Sequence, residues 1–278
     1  LNRWLEAFLL DRRAQNAAAG TVKFYTKKLT HFASWCEAQQ IATVTQVTPD
    51  SLRRFMLWLS ETGHNPGGQH AIYRAVKAFL LWFERELELE GWKNPIRKVK
   101  PPRVQLEPLE PADLNIVKKL LDVCERDKLG ERDKAVFYTL LDTGARAAEL
   151  CALTVADVDA VTGQIEVRCG KGRKSRTVFL GKAARRALRS WLNRRGNKPG
   201  SLFGLEYDGL RSMVARRSTQ AKVVRPTLHA FRRAFALNML RAGVDLYSLQ
   251  ELMGHADLQV LRRYLKLLPE DLRAAHAR

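Results

Sequence analysis

A tyrosine, two histidines, a lysine and two arginines are spaced along this chain in a way that suits chemistry on a phosphate. Residues 225–268 carry a His-x-x-Arg pair (His229, Arg232), a Gly-His at an expected helix-to-helix corner (Gly254, His255) and, nine positions on, Tyr264. A phenol, with a pKa of about 10, is a poor nucleophile at neutral pH. It becomes an effective one where cations stabilise both the developing phenolate and the phosphate it attacks. His229 and Arg232 are three apart on an expected helix, so they share a face and can both donate to one phosphate. Thr227 is suited to cap that helix, whose N-terminus favours an anion.

Two further residues fit the same chemistry. Arg146 lies in Thr-Gly-Ala-Arg-Ala-Ala-Glu-Leu, where a glycine turn presents the guanidinium at the start of a short helix and Glu149 can hold it from three residues on. Bidentate guanidinium pairing suits a five-coordinate phosphorus. Lys171 stands in Gly-Lys-Gly-Arg-Lys, at the expected tip of a β-hairpin. The run is not a P-loop, which needs G-x-x-x-x-G-K-[ST] opening a helix. A lysine on such a turn can protonate a leaving 5′ oxygen, and Lys174 is a nearby competitor for that role. Taken singly, each residue has a plainer reading: Tyr264 a half-buried tyrosine, His255 a capping or core histidine, Arg146–Glu149 a surface ion pair, Lys171 a solvated basic turn.

The elements that must position these groups follow from periodicity. Apolar residues at helical spacing mark helices over residues 1–10, from Thr21, from Pro49 after the Thr48 cap, and from Gln69 to about Glu88, with a loop over residues 63–68. The first hundred residues therefore read as a small helical bundle. Five prolines fall between Pro95 and Pro111 with four basic residues among them, which predicts a linker over residues 94–110. The second domain, residues 111–278, opens with a helix turning Leu114, Val117, Leu121 and Cys124 inward. A helix follows over residues 133–141, then a hairpin of residues 164–167 and 177–180. Further helices are predicted over residues 182–194, 208–218, 228–241, 246–253 and 257–267. The fold class is mainly α, with one small antiparallel sheet.

The chain has 278 residues and a net charge of +19, which points to a polyanionic partner, nucleic acid before an acidic membrane surface. Residues 1–100 hold 15 Lys and Arg against 9 Asp and Glu, and the remainder 33 against 20, so both domains are expected to touch DNA. Lys23, Lys27, Arg53, Arg54, Arg173 and Lys174 are the candidate phosphate contacts. Cys36, Cys124, Cys151 and Cys169 form no C-x-x-C pair and have no histidine at zinc-ligand spacing. Free thiols in a reducing cytoplasm are expected, and no metal site. No apolar run approaches the ~18 residues of a membrane span, so a cytoplasmic, nucleoid-associated protein is expected. The chain begins at Leu1 rather than Met, which leaves room for an upstream piece.

Arginine in G-x-R-x-x-E-L, lysine in a β-turn, H-x-x-R, G-H and a tyrosine nine later together closely resemble the tyrosine recombinase (phage integrase) family. The resemblance covers the whole second domain, and the first hundred residues are similar to that family's helical (SAM-like) core-binding domain. It implies an Xer-like pair of domains forming a C-shaped clamp on duplex DNA, with Arg146, Lys171, His229, Arg232, His255 and Tyr264 at the six active-site positions. It implies site-specific recombination through a 3′-phosphotyrosyl intermediate and a Holliday junction, without metal or nucleotide cofactor. The implied partners are DNA with paired half-sites, a homotetramer docked through the tail 269–278, and accessory proteins. Many members carry a second histidine after the H-x-x-R arginine, where this chain has Arg233. A type IB topoisomerase and a DNA-binding factor that no longer cuts are the rival readings.

Overall fold

The computed structural model describes residues 1–104, 110–125, 128–168, 175–196 and 198–254. The chain divides into two compact units, Leu1–Glu107 and Pro108–Arg278.

The first unit packs α1 (Asn2–Ala14), α2 (Ala19–Ala38), α3 (Pro49–Glu61) and α4 (Pro66–Leu87) around an aromatic centre. Phe8, Phe32, Phe55 and Phe79 are buried there, with edge-on ring pairs Phe8–Phe79 at 5.8 Å and Phe32–Phe55 at 5.2 Å. Each such ring contributes about 1.5–3 kcal/mol relative to an exposed one. α3 begins where expected, because Thr48 accepts from the Ser51 amide at 3.1 Å and Pro49 has no N–H to lose. α4 begins three residues earlier than its periodicity predicts. Asn65 caps it, taking the Gly68 amide at 2.7 Å, so the glycine pair falls inside the first turn and not in a loop.

The predicted linker is, in its first part, a component of this unit. Residues Pro95–Lys98 form a 3-10 turn whose Pro95 and Ile96 are buried, followed by buried Val99. Asn94 Nδ2 donates to the Leu80 carbonyl at 2.9 Å, Tyr73 Oη to the Val99 carbonyl at 2.7 Å, and Arg97 makes two bonds to Glu84. Proline density shows where helices stop; it carries no information on whether the extended backbone that follows is packed. Lys23 and Lys27 are exposed on α2 and line a surface recess with Arg13. Arg53 and Arg54 are exposed on α3, where Arg54 pairs with Asp50 at 2.8 Å and Arg53 reaches the Lys98 carbonyl at 3.3 Å.

The second unit contains α5 (Leu114–Asp122), α6 (Lys128–Thr143), α7 (Ala147–Ala152), β1 (Gln164–Val167), β2 (Arg176–Phe179), α8 (Lys182–Arg195), α9 (Tyr207–Gln220), α10 (Leu228–Arg241) and α11 (Leu246–Met253). α6 packs against both α8 and α10, and Phe137 of α6 stacks on Phe231 of α10. Buried Asp133 of α6 accepts from Arg132, Arg216 and Arg217, tying α6 to α9. α5 turns Val117 inward as expected, with Leu121 packed partly against the core and Cys124 buried just beyond the helix; Leu120 is buried as well, and Leu114, expected inward, is 53% exposed. Asp113 caps it through the Asn115 amide, so the helix starts at Leu114, and the Ala112 amide before it is bonded to the Ala230 carbonyl. β1 and β2 pair antiparallel, Val167 opposite Arg176 and Ile165 opposite Val178. α10 and α11 have the bounds that their periodicity predicts. Cys36 and Cys124 are buried free thiols and Cys151 is a partly buried one. Among the described residues no helix is long and apolar enough to cross a membrane. The hairpin tip, the helix expected over residues 257–267, the tail 269–278 and Cys169 lie outside the described residues.

Candidate active site

Arg146, His229 and Arg232 fall within the described residues; Lys171, His255, Tyr264, Arg173 and Lys174 lie outside them. α6 ends at Thr143 because Gly144 turns the chain with φ +57°, and a Cβ there would sit 2.3 Å from the Phe235 ring. The turn leaves Arg146 as the residue that caps α7. Glu149 accepts from the Arg146 amide at 2.8 Å and from Arg146 Nη1 at 2.7 Å.

Arg232, only 2% exposed, reaches back from α10 to the same turn. Its Nη1 donates to the Gly144 carbonyl at 2.5 Å and its Nη2 to the Met253 carbonyl at 2.6 Å. Arg146 Nη2 donates to the Gly254 carbonyl at 3.3 Å, and Arg176 Nε to the Leu252 carbonyl at 2.8 Å. Three consecutive carbonyls at the end of α11 thus each take one arginine. Such carbonyls lack helical partners and form the negative end of the helix dipole, so cations gather there. Gly254 closes α11 in the left-handed conformation. The backbone that leads to His255 is therefore pinned between the two candidate phosphate-binding arginines and Arg176.

His229 is the second residue of α10, whose cap Thr227 takes the Ala230 amide at 3.1 Å. It lines a pocket of about 560 Å³ together with Arg146, Tyr207, Arg211, Arg225 and Thr227. Arg232 is not part of that lining. Although His229 keeps an exposed edge, desolvation of its ring against the pocket wall lowers its pKa. The charges of Arg232, Arg233 and Arg146 lower it further. The neutral imidazole, able to accept a proton, is favoured. Burial by itself would raise the Glu149 carboxyl, but hydrogen bonds from Arg176 and Arg146 and the Arg176 charge outweigh it and hold the group at about 2. Glu149 is thus a fixed anion against which two guanidinium groups are aimed.

Sequence reasoning missed Arg176. The signal was present, since it is a charged residue at an inward register position of a strand, with Val178 buried beside it. Tyr207, Arg211 and Arg225 on the pocket wall carried no signal beyond charge and ring type. Arg233 is 8% exposed and donates from Nε to the Glu110 carbonyl at 2.8 Å; it anchors the chain entering α5. Among the described residues no group of three or more His, Cys, Asp or Glu could hold a metal ion.

Two helical units, the second with a small hairpin and a basic pocket walled by Arg146 and His229, define a class of two-domain, mainly helical proteins with an anion-suited pocket. Within it the chain belongs to the phage integrase family of tyrosine recombinases, Xer type: the family model described as "Phage integrase family" matches residues 113–271. The chain is similar to "Tyrosine recombinase XerA" of Saccharolobus solfataricus, 30% identical over 96% of this chain and 89% of that protein. Among solved structures, the XerA recombinase crystal structure covers 99% of this chain and 97% of its own, at 26% identity and a TM-score of 0.55. XerH bound to a palindromic difH substrate, in a post-cleavage complex, shares the fold at a TM-score of 0.75 and 21% identity, covering 98% of this chain and 83% of its own.

Proposed function

We propose that this protein cuts and rejoins DNA at specific sites by transesterification, with Tyr264 as nucleophile. A bond forms between the Tyr264 oxygen and phosphorus as the bond to the 5′ oxygen breaks, leaving a 3′-phosphotyrosyl link. His229 takes the phenol proton, or donates to the phosphate while that proton passes to water, and Lys171 gives its proton to the departing 5′ oxygen. Arg146 and Arg232, with His255, offset charge on the non-bridging oxygens. The 5′ hydroxyl of a partner strand then attacks the phosphotyrosyl bond, and exchange passes through a Holliday junction. The phosphodiester energy is conserved in the intermediate, so the scheme calls for neither ATP nor a metal ion. The first unit serves as the core DNA-binding domain, and four protomers assemble on two duplexes, with the tail 269–278 docking between them.

One observation carries this reading. Arg146 and His229 line one pocket, while Arg146 and Arg232 hold the adjacent carbonyls of Gly254 and Met253. Arg146 is thus common to the pocket that His229 lines and to the corner that Arg232 holds. Arg146 spends two side-chain nitrogens on Glu149 and Gly254, and a guanidinium carries five N–H groups, so donors remain for a phosphate.

The test is covalent capture. The protein is incubated with fragmented DNA, denatured in detergent, and the attached DNA ends and modified peptide are identified. An adduct on Tyr264 with recurring ends is expected, and Tyr264→Phe should bind DNA yet form none. An adduct on the Phe variant sinks the choice of nucleophile. Relaxation of supercoiled DNA without recombinants would mark a topoisomerase.

A further inference from the structure

We propose that Arg176 is a positioning residue of the strand-transfer site, one that sets Arg146 through Glu149 and fixes the corner at Gly254 from which His255 follows. The inference rests on the recombinase reading above for the role of Arg146, and on the geometry alone for the coupling.

Arg176 occupies an inward position of β2, opposite Val167, where the strand's alternation calls for an apolar side chain. Its side chain is 6% exposed. A guanidinium taken out of water costs free energy unless it is paired, and an apolar residue of similar volume often fills such a place at least as stably. Packing alone therefore does not explain an arginine here.

Its contacts do. Nη2 donates to Glu149 Oε2 at 2.7 Å and Nη1 to Oε1 at 3.3 Å, while Nε holds the Leu252 carbonyl at 2.8 Å. Arg146 meets the same two carboxylate oxygens from its amide and Nη1. Both oxygens of Glu149 are therefore shared between a backbone-anchored cation on β2 and the arginine expected to meet the phosphate. Among the described residues the other tethers of this carboxylate are the amide and Nη1 of Arg146, so Arg176 is its one side-chain anchor outside the α7 turn. Arg176 also packs directly on Gly254, where an added Cβ would lie 3.0 Å from Nη1. It does not line the pocket that Arg146 and His229 share. It thereby joins three parts of the second unit: the arginine at α7, the end of α11, and β2.

The test uses the full chain with Arg176→Met, Arg176→Lys and Glu149→Gln, read by melting temperature, DNA affinity and single-turnover adduct formation at saturating DNA. Arg176→Met is expected to form adduct on the order of 10²-fold more slowly, the loss typical of a small misplacement at a reacting centre. DNA affinity should change by less than about threefold. Arg176→Lys, which keeps a charge on Glu149, should regain about tenfold. Adding Arg176→Met to Glu149→Gln should cost less than the product of the two single losses, because they share one carboxylate while the hold on the Leu252 carbonyl is Arg176's own. A folded Arg176→Met with the wild-type rate, or losses that multiply in the double variant, overturns the proposal. If Arg176→Met does not fold, Arg176→Lys decides: a slower rate at an unchanged melting temperature supports positioning, and the wild-type rate overturns it. If the wild-type chain forms no adduct, the recombinase reading has failed and orthovanadate, a five-coordinate phosphate mimic, serves as probe. Weaker vanadate binding by the Arg176 variants then still supports positioning, and equal binding rejects it.

Discussion

His229 stands where its own desolvation and three guanidinium groups, those of Arg232, Arg233 and Arg146, all oppose its protonation. A histidine whose pKa is lowered on folding contributes stability that is complete above the unfolded value of 6.5 and is lost as pH falls through the folded one. The same sign governs catalysis if His229 accepts the phenol proton, because only the neutral ring can do so. By NMR, His229 should titrate below 6.5, and the acid limb of the adduct-formation rate should follow that titration. Arg233→Gln removes one opposing charge outside the phosphate contacts and should move both upward together. A His229 that titrates at or above 6.5, or an acid limb that ignores it, would remove the base assignment. Glu149 differs in kind. Held at about 2 by its arginines, it stays ionised across this range, and its contribution to stability fades only as pH falls from the ordinary carboxylate range toward 2.

At the scale of elements, the site is a meeting of helix ends. The α6–α7 turn gives one carbonyl to Arg232, and α11 gives three to Arg176, Arg232 and Arg146. Gly144 is the hinge of this arrangement, with φ +57° and the Phe235 ring against it. Gly144→Ala meets a left-handed penalty of about 1–2 kcal/mol and an overpacking cost of about 1–3 kcal/mol. It should lower stability by several kcal/mol in denaturant unfolding and slow adduct formation by shifting the carbonyl that holds Arg232; an unchanged unfolding midpoint would show that the turn tolerates a side chain. Much of this frame was legible in the sequence. The bounds of α10 and α11 follow from apolar spacing together with the Thr227 cap and Gly254, and Arg146, His229 and Arg232 were recognisable by type and interval. What escaped reading was tertiary. The fate of Pro95–Val99 depends on a carbonyl of α4 that Asn94 finds, and the role of Arg176 on a carboxylate that lies 27 residues away. No local pattern records such partners.

For the whole molecule the governing quantity is charge. The net +19 is spread over both units, so affinity for a duplex should be dominated by counterion release while the rate is set by the few side chains around Glu149. These two properties should separate experimentally. Lys23 and Lys27 are exposed on α2 of the first unit, beside Arg13, with no ionic partner among the described residues. If they contact phosphates, each accounts for about one unit in the slope of log affinity against log salt. The double replacement Lys23→Gln, Lys27→Gln should therefore weaken binding at every DNA sequence alike and flatten that slope by about two. Adduct formation at saturating DNA should be unchanged, because neither lysine belongs to the unit that holds Arg146 and His229. Titrations of the wild-type and variant chains between about 50 and 200 mM salt, a range over which several phosphate contacts change affinity by orders of magnitude, decide the matter. An unchanged slope removes these lysines from the DNA surface. A flattened slope with a slowed reaction would mean that the first unit shapes the chemistry and does more than hold the duplex.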